Sequence, residues 1–147
     1  RIAFAGDRDS CQSFYERWQG YHQAMADNGK PELLLDFKYT TEYYSTADFS
    51  RQLSGLKELP TAFVCANDSI AHSAYMICFP PYQIYRDLDV TGFDNTRAFI
   101  ASIPHCSTVD IRLDELGQAL GESILWRIQN PHHVCRCLRL TTRPILE

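Results

Sequence analysis

Short apolar runs alternate along this chain with amphipathic stretches, and that alternation constrains the fold more than any single motif does. Residues 2–5 read as a strand, 13–28 as a helix, 33–39 as a second strand and 46–56 as a second helix. The first helix carries Phe14, Trp18, Tyr21 and Met25 on one stripe at i, i+4, i+7 and i+11, with Glu16, Arg17 and Gln23 off it, and Gly29 supplies its stop. Residues 61–65 follow Pro60 as a third strand. A helix begins at Asp68, whose carboxylate is expected to cap it, and Pro80 and Pro81 end it. Residues 88–91 read as a fourth strand closed by Gly92, and 107–111 as a fifth extended stretch. Leu113, Leu116, Leu120, Ile124 and Ile128 then mark the clearest helix, which Pro131 stops. The alternation in 134–140 predicts a last strand, leaving 143–147 as a tail.

Strands alternating with helices predict an α/β fold: an open, doubly wound parallel sheet with right-handed crossovers and helices on both faces. At 147 residues and 45% hydrophobic content the chain can bury one core but not two of ordinary size. No internal repeat or low-complexity linker divides it. A formal net charge of −4 argues against a nucleic-acid partner held by this segment, because phosphate binding needs a basic face. No run is long enough to span a bilayer. The six cysteines are scattered, several inside apolar runs, which suits reduced thiols in a cytoplasmic protein. Because Arg1 opens within a strand pattern, upstream sequence is expected.

In an open parallel sheet, ligands lie beyond the carboxyl ends of the strands, where loops diverge and helix amino ends point free amides inward. The residues there are Gly6 to Ser10, including Asp7, Arg8 and Asp9; Thr41, Glu42 and Tyr43; Asn67 and Asp68; and Phe93, Asp94 and Asn95. Carboxylates and amides satisfy the hydroxyl pairs of a neutral polyol, and an aromatic face covers the apolar side of its ring. No cofactor is called for. The same residue types also cap helices and form turns, and Asp68 fits a cap better than a ligand group.

Catalytic signatures are absent: the chain has no G-x-G-x-x-G after a strand, no phosphate-binding G-x-x-x-x-G-K-[ST] and no G-x-S-x-G. Asp7 and Asp9 with Asp94 could be arranged as a magnesium cluster, as in doubly wound phosphotransfer sheets, but loop acids after strands are common without a metal. His132, His133, Cys135 and Cys137, with His105 and Cys106, offer zinc's preferred donors, but C-x-C on a strand lacks the turn spacing of structural sites. No metal site is expected.

Three segments carry a family resemblance. Residues 60–75 (PTAFVCANDSIAHSAY), 87–99 (DLDVTGFDNTRAF) and 107–128 (STVDIRLDELGQALGESILWRI) resemble, in that order, the effector domain of the lactose-repressor and galactose-repressor family. Both ends fit as well: RIAFAGDRDS with FYERWQGYHQAMADNG resembles the strand and helix after the first crossover between that family's lobes, and LRLTTRPILE its terminal strand and tail.

The resemblance implies a two-lobed, periplasmic-binding-protein-like domain holding a small effector, most often a carbohydrate, with operator DNA bound only through an amino-terminal domain absent here. It assigns 1–111 and 134–147 to the carboxyl-terminal lobe and turns helix 113–130 toward a first lobe not included. Asn67 and Asp94 match effector-binding positions, Tyr43 a stacking aromatic, and Tyr15 the place of an effector-contacting arginine, which is a departure. Asp7 joins them by position. The loop 77–85, with its two prolines, departs from the pattern near the family's homodimer contact. A periplasmic sugar-binding protein of the same fold is the alternative, and an α/β phosphotransfer enzyme the more distant one.

Overall fold

The computed structural model describes residues 1–37, 46–78 and 88–147. Four parallel strands form the sheet: β1 (Ile2–Ala5), β2 (Leu34–Leu35), β3 (Ala62–Cys65) and β4 (Asp89–Thr91), in the order β2-β1-β3-β4. Isolated parallel bridges from Thr91 to Ser107 and from Asp94 to Asp110 bring a further strand, β5 (Thr108–Asp110), alongside β4. The helices are α1 (Gln12–Asp27), α2 (Thr46–Ser54), α3 (Asp68–Cys78), the short α4 (Arg97–Ile100) and α5 (Leu113–Gln129).

The strand order explains why both faces are covered. The crossover from β1 to β2 runs one way along the sheet and that from β2 to β3 the other, so right-handed connections place α1 and α2 on opposite faces. The side chains agree. Phe4 packs on Tyr21 of α1, with ring centroids 5.7 Å apart, whereas Phe63 packs on Phe49 of α2 at 5.7 Å, and Phe49 in turn on Phe37 at 4.6 Å. Phe4, Phe37, Phe49 and Phe63 are all fully buried. The Tyr21 hydroxyl accepts the Leu33 N–H at 2.9 Å and donates to the Ile2 carbonyl at 3.1 Å, tying α1 to both strands it connects.

Two expectations change at the carboxyl end. Residues 134–140 form no strand. Instead Arg143–Ile145, expected as a tail, is β6 and pairs antiparallel with β5, placing Pro144 opposite Val109. Proline cannot donate to a ladder, so an edge strand is where it is tolerated. The second strand is shorter than the expected 33–39, of which the last two residues lie outside the described ones, as do Tyr43 and the loop with Pro80 and Pro81.

The apolar stripe of α5 faces solvent: Leu120, Ile124 and Ile128 are 57%, 59% and 70% exposed. Among the described residues, no helix is long and apolar enough to cross a membrane.

Candidate functional site

The carboxyl edge of the sheet converges on an ion pair that the sequence reading did not single out. Arg17, on α1, donates from Nη2 to Asp94 Oδ1 at 3.0 Å and from Nη1 to the Ala66 carbonyl at 2.7 Å. Its guanidinium lies 3.8 Å from the centroid of the Phe93 ring. One planar cation therefore joins α1 to the ends of β3 and β4, using hydrogen bonds in its plane and an aromatic ring on its face. The resemblance sets Tyr15 against an arginine of the family; in this chain a guanidinium stands two positions further on, at Arg17. Tyr15 itself is partly exposed and packs on Trp18, with centroids 5.4 Å apart. At i+3 from Phe14 and i−4 from Tyr21, Arg17 shares the packed side of α1, and its side chain is only 17% exposed.

The cap expected from Asp68 is made by Asn67 instead. Asn67 Oδ1 accepts the Ile70 N–H at 2.9 Å and caps α3, which leaves its side-chain NH2 with no partner among the described residues. Asp68 is the first residue of the helix and is wholly buried, accepting from the Thr96 N–H at 2.6 Å and the Thr108 hydroxyl at 2.7 Å. Capping and ligand contact are compatible in Asn67, because its carbonyl serves one and its amide can serve the other.

Asp94 is half-buried in a turn with positive φ, 110° at Asp94 and 57° at Asn95. Burial pushes its carboxyl above the ordinary carboxylate range; Arg17 pulls it back and the nearby Asp68 charge raises it again. On its other side opens a polar cleft of about 610 Å³, lined by Asn95, Asp110, Arg112, Thr141 and Arg143 among others.

Asp7 closes its own loop: Oδ1 accepts the Asp9 N–H at 3.1 Å, and its carbonyl accepts from the Ser10 amide and hydroxyl. Gly6, just before it, lies so near Ala66 that a Cβ there would overlap the alanine methyl. Asn67, Asp94 and Arg17 thus gather at adjacent strand ends, Asp7 shapes the neighbouring loop, and Tyr43 falls outside the described residues. Among the described residues, no three His, Cys, Asp or Glu side chains gather closely enough to hold a metal ion, and Cys135 and Cys137 are exposed.

A parallel sheet with helices on both faces and polar groups clustered at its carboxyl edge is the architecture of one half of a two-lobed binding protein. Residues 1–146 match the periplasmic binding protein-like domain, and the chain belongs to that family. It is 31% identical over 138 residues to the ribose operon repressor of Haemophilus influenzae, covering 89% of this chain and 40% of the relative. To the NTD biosynthesis operon regulator NtdR of Bacillus subtilis it is 26% identical over 155 residues, covering 100% and 46%. The chain thus spans less than half the length of these curated relatives.

Its fold matches a LacI-family transcriptional regulator from Enterococcus faecium, solved with bound ribose (TM-score 0.80, 21% identity, 98% of this chain and 54% of that one). It also matches the transcriptional regulator CelR in complex with cellobiose (TM-score 0.79, 21% identity, 99% and 45%). The resemblance drawn from the three sequence segments is borne out, and so is the α/β fold class.

Proposed function

We propose that this chain is the effector-binding and dimerisation part of a sugar-responsive bacterial transcriptional repressor, a cytoplasmic binding protein rather than an enzyme. The observation that carries this reading is the Arg17–Asp94 pair beside the free amide of Asn67. A carboxylate held by a guanidinium and an amide donor, all at adjacent strand ends, offer the acceptors and donors that sugar hydroxyls take up. The curated relative named for the ribose operon points to a pentose or similar small carbohydrate as effector.

Operator DNA is bound by a separate amino-terminal domain, consistent with the acidic balance of this segment. The solvent-facing stripe of α5 packs on a first lobe that closes over the site. Effector acts by its differential affinity for two lobe orientations, since only that difference can shift operator binding. The homodimer contact involves the open groove between α2 and α3, where Leu53, Leu56, Leu59, Met76 and Ile77 line an apolar wall.

Calorimetry on the full-length protein with a panel of pentoses, hexoses and disaccharides tests the reading. Arg17→Ala leaves the Asp94 carboxylate half-buried without its cation, and Asp94→Ala removes the proposed acceptor while Arg17 keeps the Ala66 carbonyl; either should weaken effector binding by roughly tenfold or more. Full affinity in both variants would remove the site assignment, and a panel without any binder would remove the carbohydrate.

A further inference from the structure

We infer that Asp68 is a positioning residue for the effector site, its buried carboxylate fixing the turn that presents Asp94. This rests on the proposed effector reading for its consequence but not for its geometry. The turn spans Phe93 to Thr96, and Asp68 holds both of its ends. Its backbone N–H donates to the Phe93 carbonyl at 2.8 Å, and its Oδ2 accepts the Thr96 N–H at 2.6 Å. Oδ1 accepts the Thr108 hydroxyl at 2.7 Å, and the oxygen of that hydroxyl in turn receives the Asn95 N–H at 3.4 Å. A single side chain on α3 thereby reaches the loop after β4 and the first residue of β5.

The turn needs such a hold. Asn95 at φ 57° sits in the left-handed well that asparagine tolerates, but Asp94 at φ 110° lies outside it, and a residue stays there only when its surroundings over-determine it. The Asp94 N–H is spent on the Val109 carbonyl at 2.9 Å, so the backbone is anchored and the side chain is left to meet Arg17. Gly92 completes the arrangement: a Cβ there would overlap the Asp68 carboxylate. The glycine makes room for the carboxylate, the carboxylate for the turn, and the turn aims Asp94.

Thr108→Val keeps the volume and removes the hydroxyl that joins Asp68 to Asn95, and Thr108→Ser restores it. In the full-length protein we expect amide hydrogen exchange at residues 94–96 to rise by about tenfold or more in T108V, while exchange in Ile2–Ala5 and Ala62–Cys65 stays within about twofold. T108S recovers the slow exchange. Affinity for D-ribose, or for whichever sugar of the panel binds best, falls by roughly tenfold in T108V and returns in T108S.

Acceleration spread evenly over the sheet, or none at 94–96, overturns the inference, because Asp68 would then be a fold residue only. Asp68→Asn, which keeps an acceptor for the Thr96 N–H, carries the same comparison at unchanged size, with local exchange between wild type and T108V expected. If no sugar binds the wild-type protein, the effector reading fails, and the exchange pattern by itself decides the role of Asp68.

Discussion

The sheet with its flanking helices and the α5 segment behind it bury their apolar residues to opposite degrees. Within the first, Phe4, Phe37, Phe49 and Phe63 are closed off from solvent, and Asp68, a charged residue, is buried because it has partners. In the second, Leu113, Leu120, Ile124 and Ile128 are more than half exposed, and Val134 and Leu138 behind them are 81% and 63% exposed. Both regions have the amphipathic pattern of a packed protein. The difference teaches that periodicity reports which face an element wants to bury, not whether this stretch of chain supplies what buries it.

The contrast is sharpest at Phe63. Truncation to alanine removes a ring packed on Phe49 and leaves a cavity, costing about 3–5 kcal/mol in denaturant unfolding of the full-length protein. A loss under about 1 kcal/mol would mean that this core is looser than its packing. Thiol chemistry reads the same contrast without mutation. Burial pushes Cys78 up to about 12 and Cys106 up to about 11, and Cys65 well up, so native-state alkylation at neutral pH should leave these three untouched.

Cys11 is exposed. Its slight burial works against ionisation, but hydrogen bonds from Ser13, Phe14 and Ser10 together bring it below the ordinary thiol value. It should label about a hundredfold faster than the buried three, as read by mass spectrometry. In the full-length protein, Cys135 and Cys137 should fall well behind Cys11 if a lobe covers their segment; equal rates would break that expectation.

The double substitution Leu120→Ser, Ile124→Ser tests α5 directly. On a solvated face it would change stability by no more than about 0.5 kcal/mol, whereas a stripe packed on a first lobe should lose about 2–4 kcal/mol in the full-length protein. The smallest effect expected is on pH dependence. Asp94 has a raised folded-state pKa, so on acidification it takes up a proton before an ordinary carboxylate does, and the native state is favoured slightly as pH falls through that value toward the unfolded one. Effector affinity moves the other way, because a protonated Asp94 no longer pairs with Arg17. Titration of binding on acidification against that of Asp94→Asn separates the two; a wild-type affinity that falls no more than that of the asparagine variant would contradict the assignment.

Much of this was legible in the sequence, and the misses share a cause. The strand and helix alternation gave the sheet and α1, because both rest on burial patterns that many residues repeat. Single residues with two possible chemistries were not legible. Asn67 and Asp68 can each cap a helix, and only the distant Thr96 and Thr108 decide that the carboxylate turns inward. Arg17 reads only as a residue off the apolar stripe of α1, because nothing local announces a partner 77 positions away. The edge strand β6 carries a proline, which a strand reading discounts, while residues 134–140 alternate as a strand does without pairing with one here.

The pairing of β5 with β6 has a consequence for synthesis. Strands β1 to β5 leave the ribosome in an order that lets each find its neighbour soon after emerging, but the last neighbour of β5 arrives only after α5 and the coil behind it have been made. Throughout that interval β5 offers an open ladder edge. A nascent chain is most exposed to mispairing during that interval, while the edge that β6 will cover is still open.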